Sequence, residues 1–202
     1  LGDGGALRLT VSRYYTPSGR SIQRAYNHKQ EYSNEAERRL ASGELADVSK
    51  MKIADSTQYY TGMGRIVYSG GGIYPDVFIP LDTSFFNDYY LDVRQLVPQF
   101  AARWLEQRER STLPASLDAY VRDFPVSDDM LEALVGYAEK QGVERNPAQL
   151  AQCRAELKLQ LKARIGKALF RDEGLYRVLN EDDPAVDKAV QLLRSGEAIV
   201  KK

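Results

Sequence analysis

The sequence predicts an α+β chain in two parts, a strand-containing segment over residues 1–82 and an all-helical region over residues 83–202. Three observations predict it. Glycine and tyrosine concentrate before about residue 90, whereas Ala, Leu, Glu, Arg, Lys and Gln dominate afterwards. Apolar residues alternate with polar ones near the start, the period of a strand with one buried face. In the second half they recur three and four residues apart, the period of a helix with one buried face.

Leu7, Leu9 and Val11 alternate with Arg8, Thr10 and Ser12, so a strand is expected there with its three aliphatic side chains on one side. Thr16-Pro17-Ser18-Gly19 follows as a turn, proline presetting one backbone dihedral and glycine closing the reversal. Residues from about Asn27 to Lys52 are charged and poor in large apolar side chains, and Asn34 to Leu40 within them suggests a short helix. This stretch is expected to be a solvated excursion, part of an inserted segment and hairpin over about 24–72. Gln58-Tyr59-Tyr60 and Arg65-Ile66-Val67-Tyr68 are expected to pair across the loop Thr61-Gly62-Met63-Gly64. In Ile73-Tyr74-Pro75-Asp76-Val77 the proline withholds a ladder donor and keeps Tyr74 extended, which predicts an edge strand or a strand start.

The helical region begins with Val93, Leu96, Val97, Phe100, Ala101 and Trp104 at helical spacing, which predicts a helix over roughly 92–109. Ser127 precedes Asp128 and Asp129 as an N-cap with acidic first-turn residues, and Gly142 marks the end of that helix. Asn146-Pro147 is a cap followed by proline at the first helical position. The longest helix starts there, with Leu150, Cys153, Leu157, Leu161, Ile165, Ala168 and Leu169 along one face. A last short helix, 185–193, follows Asp183-Pro184.

Lysine and arginine number 28, as do aspartate and glutamate, so the chain lacks the basic excess of a dedicated nucleic-acid binder. One cysteine and one histidine cannot build a Cys/His metal cluster, and no metal or other cofactor is expected. The glycine clusters Gly2-Asp3-Gly4-Gly5 and Ser69-Gly70-Gly71-Gly72 each lead into a predicted strand, whereas a phosphate loop must lead into a helix N-terminus. His28 lies in the charged excursion, away from any nucleophile elbow, and is expected to be an exposed histidine. Cys153 falls on the apolar face of the longest helix and is expected to be a small buried side chain with no reactive role.

The run from Ala6 to Gln23, ALRLTVSRYYTPSGRSIQ, followed downstream by Gly72-Ile73-Tyr74-Pro75-Asp76-Val77, resembles the two signatures of the carboxyl-terminal processing, or tail-specific, serine peptidases. The resemblance implies that residues 1–82 are the last strands of a protease core and that 83–202 resemble the helical extensions of bacterial members. It implies a serine nucleophile and a lysine base, both earlier in the chain than Leu1, because Lys29, Lys50 and Lys52 all follow the first signature. Leu1–Lys202 is therefore expected to be inactive by itself. Thr16, Pro17, Ser18, Gly19 and Arg20 are expected beside the active site, and Gly72, Ile73, Pro75 and Asp76 carry the second signature. About fifty residues separate the signatures here, whereas many members join them almost directly.

The same resemblance implies polypeptide C-terminal tails as substrates and a location in the periplasm or cell envelope. Self-association is expected through the helices or exposed strand edges. The alternative is that the helical region is an oligomerisation or adaptor-binding module, acting through the apolar faces around Trp104 and along Leu150 to Leu169.

Overall fold

A computed structural model describes residues 2, 4–9, 11–23, 35–51, 56–69 and 72–196. The chain is α+β and falls into two compact units, Leu1–Leu81 with Leu192–Lys202, and Asp82–Gln191. Residues 24–34 and 52–55, with His28, Lys29 and Lys52 among them, lie outside the described residues.

In the first unit a helix, α1 (Glu35–Ala41), falls where the charged segment predicts one. Strands β1 (Gln58–Tyr60) and β2 (Ile66–Tyr68) pair antiparallel in the register Gln58↔Tyr68, Tyr59↔Val67, Tyr60↔Ile66, as expected from the sequence. Their loop is closed by Thr61, whose N–H donates to the Arg65 carbonyl at 2.9 Å while its Oγ1 accepts from the Arg65 N–H at 3.1 Å. Gly64 takes φ 77°, a region that side-chain-bearing residues rarely occupy.

Two expectations for this unit are corrected. The described residues of 6–14 form no ladder, and Leu7, Leu9 and Val11 are 75%, 71% and 84% exposed. Alternation fixes the faces a strand would have, but a strand forms only where a neighbour accepts its hydrogen bonds. Ile73-Tyr74-Pro75 is likewise irregular and exposed, not an edge strand. Among the described residues the sheet has two strands, supplemented by one isolated bridge, Tyr15 to Ser21.

The second unit is a helical bundle. Helix α2 spans Asp88–Glu106, α3 Leu117–Asp123, α4 Asp128–Lys140, and α5 Pro147–Leu179. Helix α6, Pro184–Ser195, closes the helical region and has no buried residue. Each start has a polar cap. Asn87 Oδ1 accepts from the Tyr90 N–H at 2.8 Å, Ser116 Oγ from Ala119 at 3.3 Å, Ser127 Oγ from Met130 at 3.2 Å and Asn146 Oδ1 from Gln149 at 3.1 Å. Gly142, at φ 93°, ends α4 in the left-handed conformation. Helix α2 begins four residues before the expected start near 92, because Asn87 caps it there, and it runs through the exposed Pro98.

Helix α5 is the spine of the bundle, with α2, α3 and α4 all packed on it. Leu150, Cys153, Leu157, Leu161 and Ile165 are buried against Val93, Val97, Tyr120, Leu131, Leu134 and Val135. Ala168, assigned to the same face from its spacing, is exposed. The faces around Trp104 and along Leu150 to Ile165 therefore form the core of this unit.

Helix α5 is broken by Phe170 (φ −130°, ψ 17°) and Arg171 (φ 60°, ψ −151°). Across the break, Gly166 and Gly174 touch backbone to backbone: a Cβ on Gly174 would stand 2.2 Å from the Gly166 carbonyl oxygen. Eight residues of uninterrupted helix would rise about 12 Å, so the chain turns back sharply at 170–171.

Candidate functional site

Thr16, Pro17, Ser18, Gly19 and Arg20, the residues expected beside an active site, form a turn. Pro17 and Ser18 occupy its centre, the Gly19 N–H donates to the Thr16 carbonyl at 2.8 Å, and the Thr16 N–H donates to the Arg20 carbonyl at 2.9 Å. Thr16 Oγ1 and Ser18 Oγ share a hydrogen bond of 2.9 Å. Gly19 takes φ 82°, which gives glycine a conformational reason to be there.

Arg20 is the pivot. It is 9% exposed, and its Nη2 donates 3.2 Å to the carbonyl oxygen of Gly72. Ser69, 8% exposed, donates from Oγ to the Ser21 carbonyl at 3.3 Å. These two bonds, spanning 52 and 48 positions of sequence, join the segment that carries Thr16 to Gln23 to the segment that carries Gly72 to Asp76. Arg65 Nη2, just before β2, pairs with Asp76 Oδ2 at 2.7 Å, both side chains being exposed. Ile73 and Pro75 are exposed and make no part of the link.

Two polar atoms in this cluster are buried without a hydrogen-bond partner among the described residues, Arg20 Nε and Ser21 Oγ. Buried guanidinium and hydroxyl groups are costly when unpaired. Both lie on the turn that the signature marks.

Nucleophile chemistry finds no support in the other candidates. Ser49 and Lys52 have a Ser-x-x-Lys spacing, which corrects the reading that the sequence contains none. Ser49 Oγ donates 2.7 Å to Asp47 Oδ1, which also accepts the Ser49 N–H at 2.9 Å, in the exposed 3₁₀ turn Val48–Lys50. That is a capped turn, and its hydrogen bonds hold the Asp47 carboxyl low, whereas a general base would need its pKa raised. Cys153 is buried, as expected, and burial pushes its thiol up, away from the thiolate. Among the described residues no three His, Cys, Asp or Glu side chains are grouped to hold a metal ion. No described helix is long and apolar enough to cross a membrane.

The comparisons with known proteins bear on the helical unit. Residues 89–172 match the model of a family of unknown function (DUF8443). The match starts at the second residue of α2 and ends just past the break in α5, so it follows the bundle and not the signature turn. No curated protein and no solved structure gives a match.

Proposed function

We propose that the chain is the C-terminal portion of a tail-specific serine endopeptidase, cleaving polypeptides near their C-termini with a serine and a lysine that precede Leu1. The observation that carries the reading is the pair of bonds from Arg20 to Gly72 and from Ser69 to Ser21. They join the two segments whose sequences resemble those of that peptidase family, although about fifty residues separate them. In such an enzyme a desolvated lysine accepts the serine proton, and backbone donors stabilise the tetrahedral oxyanion. The turn from Thr16 to Arg20 would support the cleft wall, and Arg20 would act as a positioning residue. Unpaired Arg20 Nε and Ser21 Oγ fit a segment that further chain completes. The cell envelope is the proposed location.

Peptide hydrolysis tests the reading. The full open reading frame should cleave an unfolded polypeptide from its C-terminal side, with activity lost on treatment with serine-directed reagents, whereas purified Leu1–Lys202 should release no fragments. Reagent-sensitive cleavage by Leu1–Lys202 alone would contradict it, as would an inactive full-length protein.

A further inference from the structure

A groove of about 690 Å³ opens between α2 and α4 in the helical unit. Tyr137 and the mostly buried Trp104 line it, and Arg103, Arg108 and Lys140 line it against a single carboxylate, Asp129. None of those three cations forms a salt bridge among the described residues. Arg108 instead lies over the Trp104 ring at 3.5 Å and donates to the Trp104 carbonyl at 3.1 Å. The positive charge of the groove is thus left uncompensated by the fold, which favours an anionic partner.

Gly136 adds an independent observation. It sits inside α4 on the groove wall, where glycine is a poorer helix former than alanine. Gly166 and Gly174 have an internal reason to be glycine, since a Cβ on either would strike backbone. A Cβ on Gly136 would meet nothing within 4 Å. The missing side chain leaves a shallow place where the main chain of a partner can come close to the helix.

We propose that this groove binds an acidic polypeptide segment, its carboxylates meeting Arg103, Arg108 and Lys140 beside Trp104 and an apolar side chain lying against Tyr137 next to Gly136. The proposal stands apart from the peptidase reading, because every residue it uses belongs to the helical unit.

Trp104 is the single tryptophan of the chain, so its emission reports on the groove directly. The test titrates Leu1–Lys202 with a short peptide of glutamate and leucine, and with a control in which lysine replaces each glutamate. The glutamate peptide should change Trp104 emission saturably, with an affinity that falls as salt is added, and the lysine peptide should not. The double variant Arg103→Glu, Lys140→Glu should weaken binding by about tenfold or more. Gly136→Leu, which blocks the groove without changing charge, should weaken it while circular dichroism shows the helices intact. No response to the glutamate peptide, an equal response to the lysine peptide, or an affinity unchanged by both variants would overturn the proposal. So would self-association that the charge variant abolishes and the glutamate peptide fails to displace, since the occupant would then be a second copy of the chain.

Discussion

Arg20 and Gly72, separated by 52 positions, are joined by a 3.2 Å hydrogen bond from a guanidinium that is almost wholly buried. Burying that group is costly unless its donors are met. The bond therefore fixes the position of the Gly72 strap relative to the turn at Thr16 to Arg20.

Removing the donor should loosen the strap. Arg20→Ala is expected to lower the local stability of Ser69 and of residues 72–76 by about 1–3 kcal/mol, because the Gly72 carbonyl loses its partner. Amide hydrogen exchange reads this directly, as faster exchange in the described residues around Ser69 and Gly72. Unchanged exchange there would show that the bond does not hold the two segments together.

Asp128 ties the start of α4 to α5. Hydrogen bonds from Arg154, at 2.5 Å, and from Lys158 hold its carboxyl down to about 2, from an ordinary 3.8. A carboxyl depressed in the folded state adds stability above its unfolded pKa, and that contribution disappears as pH falls from about 4 to about 2. Acid unfolding followed by circular dichroism should show Asp128→Asn removing part of the pH dependence in this window. Salt should shrink the effect, since the carboxylate faces solvent. A variant with the wild-type acid profile would rule the pairing out as a stabilising contact.

The corner in α5 makes opposite predictions for two neighbouring positions. Arg171, at φ 60° and ψ −151°, occupies a conformation that costs a side-chain-bearing residue about 1–3 kcal/mol, so Arg171→Gly should stabilise the unit by roughly 1 kcal/mol. Gly174→Ala should destabilise it by about 1–3 kcal/mol, because the new Cβ would run into the Gly166 carbonyl. Urea denaturation of the two variants compares them. If Arg171→Gly destabilises and Gly174→Ala is tolerated, α5 continues straight through this position.

Cys153 is fully enclosed by the bundle and has its thiol pushed up by burial. A thiol-reactive chromophore should leave the native chain unlabelled and label it to completion once the helices unfold. Rapid labelling of the native protein would place Cys153 at a surface and contradict the core described for α5.

The helical unit is legible where a local signal suffices. Ser127, Asn146-Pro147 and Gly142 mark helix ends through chemistry that acts within one turn, and the structure uses each of them. The hairpin of β1 and β2 is similarly local. The break at Phe170 and Arg171 is not, because the flanking Lys167-Ala168-Leu169 and Asp172-Glu173 favour a continuous helix. Its trace is the pair Gly166 and Gly174, whose meaning appears only once their backbones touch. Helix α3 is two turns long, and its cap Ser116 does not stand out without the packing of Tyr120 against α5. Leu7, Leu9 and Val11 mislead for the reverse reason, since their alternation states a face but supplies no neighbouring strand. At the signature turn the residues themselves are legible, but the role of Arg20 as the link to Gly72 depends on a contact across 52 positions. The groove at Trp104 also escapes the sequence, which leaves the apolar face around Trp104 open between core and partner surface and gives no sign that Arg103 and Lys140 share its surroundings.

The coding sequence immediately upstream of Leu1 tests the central claim most directly. The account predicts a lysine within a glycine-containing segment shortly before Leu1 and, earlier in the same reading frame, the serine it activates. A reading frame holding neither residue would contradict the peptidase assignment.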